Sequence, residues 1–389
     1  MNSKHTSGMG LKDFLYRKAD IMGIPLSGTF ELSPVCNFSC RMCYVRKTQQ
    51  EVDRSPRNIL SLEDWRTIAR QARDAGMLYL LLTGGEPLLW PHFWTLYDEL
   101  IDMGFLISIN TNGSLIDEAA VEHFRRKPPV RINITLYGAG EESYRRLCGN
   151  GPAFSRVDRG IRNLLEAGVS VKLNCSLTPQ NVADLERMTE YAKSQNIELN
   201  AVTYMFPPVR RNPAGADDFE RFSPEDAAKY HMEYMRQNRS TRSFDSYLNH
   251  LLAGCGEPLG LDENCIDPLD GSVRCRAGKS SFWVSWDGWL MTCGMVPEPA
   301  VDLKMTDFAS AWEMLKQKTA QVRMSGICRQ CPSVNICHPC LASARAETGT
   351  SEGVPEYQCR MTREMYRIAR EMINSNVIIY PGGNENEHA

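Results

Sequence analysis

Apolar and polar positions come in alternating blocks along the first 204 residues. Gly28–Ser33 (Gly-Thr-Phe-Glu-Leu-Ser) changes polarity residue by residue, as a strand does when its side chains point to opposite faces. Leu78–Leu82 is a nearly pure apolar run, which predicts a parallel strand covered on both faces. Further strands are expected at Leu106–Asn110, Arg131–Leu136, Ser170–Leu177 and Glu198–Tyr204. Between them the apolar period lengthens to that of a helix: about Phe93–Met103, Asp117–Arg126, Val157–Ala167 and Val182–Gln195, with Leu11–Met22 ahead of the first strand. Ser61-Leu62-Glu63-Asp64 caps another helix running to about Ala75, since the Ser hydroxyl can satisfy an orphan N–H and acids suit the helix's positive end.

Six such β/α units predict an α/β fold: a parallel sheet forming a partial (β/α)6, TIM-like barrel, with active groups at the carboxyl ends of its strands. The alternation stops at Pro207-Pro208. A second cap follows at Ser223-Pro224-Glu225-Asp226, and Ser281–Trp286, Asp287-Gly288, Trp289–Thr292 reads as a hairpin around a tight Asp-Gly turn. The expected organisation is an N-terminal segment (1–27), a barrel (28–210), a helical linker (211–260), a small Cys-rich domain (261–378) and a tail (379–389).

Composition narrows the function. The 389 residues carry 44 Lys+Arg against 47 Asp+Glu, too balanced for a nucleic-acid partner held through phosphates. No stretch reaches membrane-spanning length and no signal peptide is evident, which points to a cytoplasmic chain. In that reducing setting 14 cysteines, eight of them from Cys265 to Cys359, are better suited to metal than to disulfides.

Cys36, Cys40 and Cys43 lie in Cys-Asn-Phe-Ser-Cys-Arg-Met-Cys-Tyr, directly after the first strand. Three thiolates on a four-iron cube leave one iron open for a substrate or cofactor; a zinc loop lacking a fourth ligand is the alternative from spacing alone. Thr83-Gly84-Gly85-Glu86-Pro87 follows the second strand, and Thr111-Asn112-Gly113 the third. In that order the three motifs resemble the radical SAM superfamily. The resemblance implies a catalytic [4Fe–4S] cluster on Cys36, Cys40 and Cys43, with S-adenosylmethionine on the open iron. It also implies reductive cleavage to a 5′-deoxyadenosyl radical, fed by an external flavodoxin- or ferredoxin-type donor. Gly84, Gly85 and Glu86 would face the methionine amine; Thr135, Arg146 and Asn174 would be further cofactor contacts, with ordinary strand-end hydrogen bonding the alternative for Thr135 and Asn174, and Tyr44 and Met205 would flank the adenine.

Cys275, then Gly288-x4-Cys293, Cys328-x2-Cys331-x5-Cys337-x2-Cys340 and Cys359 resemble the SPASM extension of peptide-modifying members, with two residues in the last gap where three are usual. That resemblance implies two auxiliary [4Fe–4S] clusters, three clusters in all. One would sit on Cys275, Cys293, Cys340 and an upstream cysteine, Cys265 or else Cys255; the other on Cys328, Cys331, Cys337 and Cys359. Zinc is the alternative for the Cys-x2-Cys pairs. Cys148 and Cys175 read as small buried apolar residues. The substrate class expected is a ribosomally made peptide. Cys293-Gly294 stands where sulfatase-maturing relatives carry Cys-Asp, which sets that activity lower, beside haem precursors and other small molecules. No general base is identified; Asp267, Asp270, Tyr204 and Tyr357 are within reach only as guesses. Aromatic residues among Arg210, Arg211, Arg239 and Arg242 offer a peptide-binding surface or, more simply, a solvated helical linker.

Overall fold

A computed structural model describes residues 10–210, 219–253 and 274–375. Its strands are β1 (Ser27–Glu31), β2 (Tyr79–Thr83), β3 (Leu106–Thr111), β4 (Arg131–Thr135), β5 (Val171–Ser176), β6 (Leu199–Val202), β7 (Ser281–Val284), β8 (Trp289–Cys293) and β9 (Val296–Asp302). They form one sheet in the order β6-β5-β4-β3-β2-β1-β7-β8-β9. The first six are parallel, β7 adds in parallel to the other edge of β1, and β7–β8–β9 run antiparallel. The α/β, TIM-like class is as expected, and the sheet curls without closing.

The helices that connect the parallel strands pack on one face of the sheet. Phe30, Leu80, Leu82, Ile107, Ile109, Ile132, Ile134 and Leu173 are all at most 2% exposed on the helix-covered face. Trp65 of the helix Leu62–Asp74 packs on Phe30, with ring centroids 4.8 Å apart. The alternate positions face the barrel lumen, and they are mostly polar. Register places Thr29, Leu81, Ser108 and Arg131 in one row across the sheet, Glu31, Thr83, Asn110, Asn133 and Lys172 in the next, and Thr135, Asn174 and Asn200 in the third. The expectation that β2 is covered on both faces is therefore corrected. Leu81 is only half-buried, because the second face lines a cavity rather than a second helical layer.

Beyond the barrel, Pro224–Asn238 and Thr241–Ala253 are helices, and Phe308–Ala320 packs on the hairpin through Phe308 and Trp312 against Phe282. β9 was not expected. Its Pro297 and Pro299 argue against a strand, yet it lies at the sheet edge, where a missing N–H is tolerated. The long helix Glu356–Asn374 is tied to the linker by Tyr357, whose hydroxyl donates to Phe222 O at 2.8 Å. Among the described residues no helix is long and apolar enough to cross a membrane.

Candidate active site

The loop after β1 carries the first three cysteines, and two neighbouring segments shape it. Ser39 N–H and Arg41 N–H donate to the carbonyls of Cys148 and Leu147 at 2.9 and 3.1 Å, so the end of the helix Glu141–Cys148 backs the loop. On the other side Gly85 N–H donates to Ser33 O (2.7 Å) and Glu86 N–H to Val35 O (3.0 Å). Here the glycines are needed: a Cβ on Gly84 would lie 2.4 Å from Ser33 O, and one on Gly85 2.4 Å from Val35 O. Gly84 also takes φ 156°. The Gly-Gly turn is thus backbone laid against backbone, next to the thiols.

Glu86 fixes that turn to the next one. Its carboxylate is fully buried; Oε1 accepts from Thr111 Oγ1 (2.8 Å) and Leu88 N (3.2 Å), and Oε2 from Asn112 N (2.8 Å). Burial pushes its pKa up to about 7 against these donors. With its oxygens engaged in this way, the turn presents its backbone rather than the Glu86 carboxylate. Asn112 continues the chain of contacts, its Nδ2 lying 2.8 Å from Asn37 Oδ1 and 3.7 Å from Cys36 Sγ.

The thiols fit an iron–sulfur cluster by the chemistry around them. Phe38 N–H points at Cys36 Sγ and Arg46 N–H at Cys43 Sγ, both at 3.3 Å, donors that favour thiolates. The buried Nε of Arg46 has no hydrogen-bond partner among the described residues, and its charge lowers the Cys40 pKa. Against this, burial pushes Cys36 up to about 12 and helps hold Cys40 well above its ordinary value, where the neighbouring Cys148 thiol acts first. The cationic core of an iron–sulfur cluster would offset the cost of three such thiolates. Cys148 is fully buried, its thiol bonded to Tyr144 O at 3.0 Å. Sequence spacing gave no sign that it would stand beside Cys40.

Thr135 and Asn174 are cross-strand partners at the top of the lumen. Arg146 lies on the rim, half-exposed, with Nε 3.3 Å from Gln180 O and a terminal nitrogen 3.2 Å from Ser143 Oγ. Tyr44 is half-buried, its pKa raised by burial and then by the nearby Glu31, Cys43 and Cys293. It therefore stands between the first cysteine loop and the second cysteine set. Met205 is buried.

The later cysteines separate into two groups. Cys275, Cys293 and Cys340 line one cavity of about 490 Å³ with Arg274, Thr292 and His338; burial raises the pKa of Cys275 and Cys293, and Cys340 adds to the rise. Burial raises the thiol pKa of Cys328, Cys337 and Cys359, and neighbours from the set Cys328, Cys331 and Cys359 push each further up. The short Cys337–Cys340 gap is turned by His338 in the left-handed region, φ 43°. Among the described residues no three His, Cys, Asp or Glu side chains converge as closely as a single ion requires. Cys255, Cys265, Asp267 and Asp270 lie outside the described residues, as does Arg211.

The linker surface is corrected in part. Arg210 is not displayed there: its guanidinium is 12% exposed and grips Glu31, itself 0% exposed, at 2.7 and 2.8 Å. Arg210 also donates to Gly294 O (3.2 Å), and Trp283 Nε1 donates to Glu31 (2.9 Å). Phe222 and Tyr234 are core residues, as a helical linker would have them. Tyr204 donates to Glu347 at 2.8 Å, and Glu347 also accepts from Arg221, which stacks on Tyr357. Both tyrosines therefore serve a buried clamp.

Residues 30–192 match the family described as Radical SAM superfamily. The AdoMet-dependent heme synthase of Methanosarcina barkeri is 25% identical over 82% of this chain and 92% of its own. A probable GTP 3',8-cyclase of Saccharolobus islandicus is 28% identical over 73% of this chain and 88% of its own. In fold the chain matches Streptococcus suis SuiB bound to precursor peptide SuiA, with a TM-score of 0.64 at 19% identity over 92% of this chain and 83% of that one. It also matches anSMEcpe with bound AdoMet, with a TM-score of 0.64 at 18% identity over 91% and 100%. A cysteine trio against a Gly-Gly turn, on the strands that carry the family match, marks residues 30–192 as a Radical SAM domain, in a chain with the fold of SuiB and anSMEcpe.

Proposed function

We propose that this enzyme reductively cleaves S-adenosylmethionine and uses the resulting radical to take a hydrogen atom from a ribosomally made peptide. The observation that carries the peptide is the extent of the fold match: 92% of the chain aligns with SuiB in its complex with a precursor peptide, well beyond the 30–192 core. Cys36, Cys40 and Cys43 would hold the catalytic [4Fe–4S] cluster, which supplies the electron that splits the sulfonium bond. The Gly84–Glu86 backbone would position the methionine amine, while Thr135 and Asn174 would bind from the lumen wall. Arg146 would reach the cofactor carboxylate from the rim, and Tyr44 would border the adenine. Cys275, Cys293 and Cys340, with Cys265 or Cys255, and the group Cys328, Cys331, Cys337 and Cys359 would hold two auxiliary clusters.

A second reading, a small carboxylated substrate such as a haem precursor, is favoured by the M. barkeri relative and by the cationic lower lumen described below. The test is anaerobic turnover of the reconstituted full-length chain with S-adenosylmethionine and dithionite. Candidate peptides encoded beside the gene, and a tetrapyrrole carboxylate, are offered in turn. A mass change in a peptide matched to 5′-deoxyadenosine formed supports the first reading; consumption of the tetrapyrrole alone replaces it with the second. No 5′-deoxyadenosine from protein with full iron overturns both.

A further inference from the structure

The end of the barrel away from the first cysteine loop opens into a cavity of about 710 Å³, lined from β1 to β4 by the strands' amino-terminal halves and from the other side by β7 and β8. Cys275 and Cys293 stand on that second wall. Three cations line it, Lys12, Arg131 and Arg276, and among the described residues no carboxylate does. Two of the three have a partner. Arg276 lies 3.5 Å from Asp20 and stacks on Tyr16 at 4.1 Å, and the Lys12 ammonium lies 5.8 Å from the Tyr79 ring centroid.

Arg131 is different. It opens β4, and because Ile132 and Ile134 are wholly buried on the helix side, Arg131 and Asn133 face the lumen. The Arg131 Nε is buried, and among the described residues it meets no hydrogen-bond partner and Arg131 forms no ion pair. One row up, Asn133 is 9% exposed; its amide donates to Asn110 Oδ1 at 2.8 Å, while its own Oδ1 meets no donor. A guanidinium half-withdrawn from water without an acceptor carries a cost that a ligand oxygen would remove, and a planar fork matches a carboxylate in particular.

We propose that Arg131 is a specificity residue that holds a carboxylate of the substrate in this lower cavity. Ser108, its register partner on β3, lies beside it. Asn133 Oδ1 accepts an N–H or O–H from the same substrate higher in the lumen. The proposal rests on the reading that the lumen is where the substrate of the radical reaction lies. The carboxylate belongs either to an acidic residue of a peptide or to a small-molecule acid.

The experiment is anaerobic calorimetric titration of the reconstituted full-length protein with two matched probe pairs. One pair is a capped Glu-containing pentapeptide and its Gln counterpart; the other is a porphyrin tetracarboxylate and its tetramethyl ester. In at least one pair the acid binds roughly tenfold tighter, Arg131→Gln removes that advantage, and Arg131→Lys keeps part of it. An advantage confined to the peptide pair assigns the carboxylate to a peptide, and one confined to the porphyrin pair assigns it to a small molecule. No advantage in either pair, or one that survives Arg131→Gln, overturns the proposal. Should Arg131→Gln not fold, the wild-type advantage must shrink as salt is raised to about 0.5 M; salt-insensitive discrimination also overturns it. Formation of 5′-deoxyadenosine by the wild type without a probe is measured alongside, so that failure of the radical reading is seen separately.

Discussion

Arg210→Ala should be the most damaging single change outside the cysteine loops. The residue joins three separate pieces: the end of β1 through Glu31, the segment after β6, and the turn after Cys293 through Gly294 O. Removing it leaves a fully buried carboxylate with Trp283 Nε1 as its remaining hydrogen-bond donor among the described residues. Breaking a buried pair in this one-sided way costs about 3–5 kcal/mol, because the surviving charge stays desolvated. For a chain of this length the unfolding entropy is roughly 0.8 kcal/mol/K, so a loss of about 4 kcal/mol lowers the melting temperature by about 5 °C. The companion Glu31→Gln/Arg210→Met removes both charges and keeps an acceptor for Trp283; it should recover most of the loss. Anaerobic scanning calorimetry of the three proteins reads this directly. A shift of under about 1 °C in Arg210→Ala, or a double variant that melts as low as the single, would refute the argument that an orphaned charge is the cause.

The triple variant of Cys36, Cys40 and Cys43 to Ala should lose about four irons from about twelve and all 5′-deoxyadenosine formation, as read by iron and sulfide analysis and chromatography. Gly85→Ala drives a methyl into Val35 O and should lower S-adenosylmethionine cleavage more than about tenfold with iron retained; unaltered cleavage would show that the close approach is not needed. Glu86 has a folded pKa, about 7, above its unfolded value, so its contribution to stability is full below about 4.5 and lost as pH rises through about 7. Wild type should therefore lose more stability than Glu86→Gln between pH 5 and pH 8, measured by denaturant titration of the cluster-free protein; parallel pH profiles would contradict it.

The β/α succession was readable because one face of every barrel strand is strictly apolar: Ile107 and Ile109, or Ile132 and Ile134, announce themselves. The other face was not read at all. Ser108, Asn110 and Arg131 look like solvent-facing positions in sequence, and only curvature turns them inward toward a lumen. The grouping of Cys36, Cys40 and Cys43 on one loop was legible because all three lie within eight consecutive residues after the first strand. The partnership of Glu31 with Arg210 was not, since the two lie 179 residues apart and no local pattern links them. Cys148 was likewise invisible as a neighbour of Cys40, because a helix end and a loop meet there only after the barrel has curled. The Gly-Gly-Glu turn was found from its letters, but the role of the Glu86 carboxylate as a brace for Asn112 and Thr111 needed the third strand in place.

The pairing of β7 with β1 has a consequence for how the chain is made. About 250 residues separate Ser27 from its partner Ser281. At about 5–20 residues per second, a ribosome needs on the order of 12–50 s to deliver the second neighbour of β1 after the first strand has emerged. Throughout that interval the nascent barrel carries an open edge of Ser-Gly-Thr-Phe-Glu with its one charge at the end, the kind of edge that recruits strands from other chains. A version of the gene truncated after the helix Thr241–Ala253 would make that transient condition permanent. Such a fragment should accumulate as aggregate rather than as a smaller working barrel, and the synthesis of the intact enzyme should depend on whatever shields that edge until the last third of the message has been read.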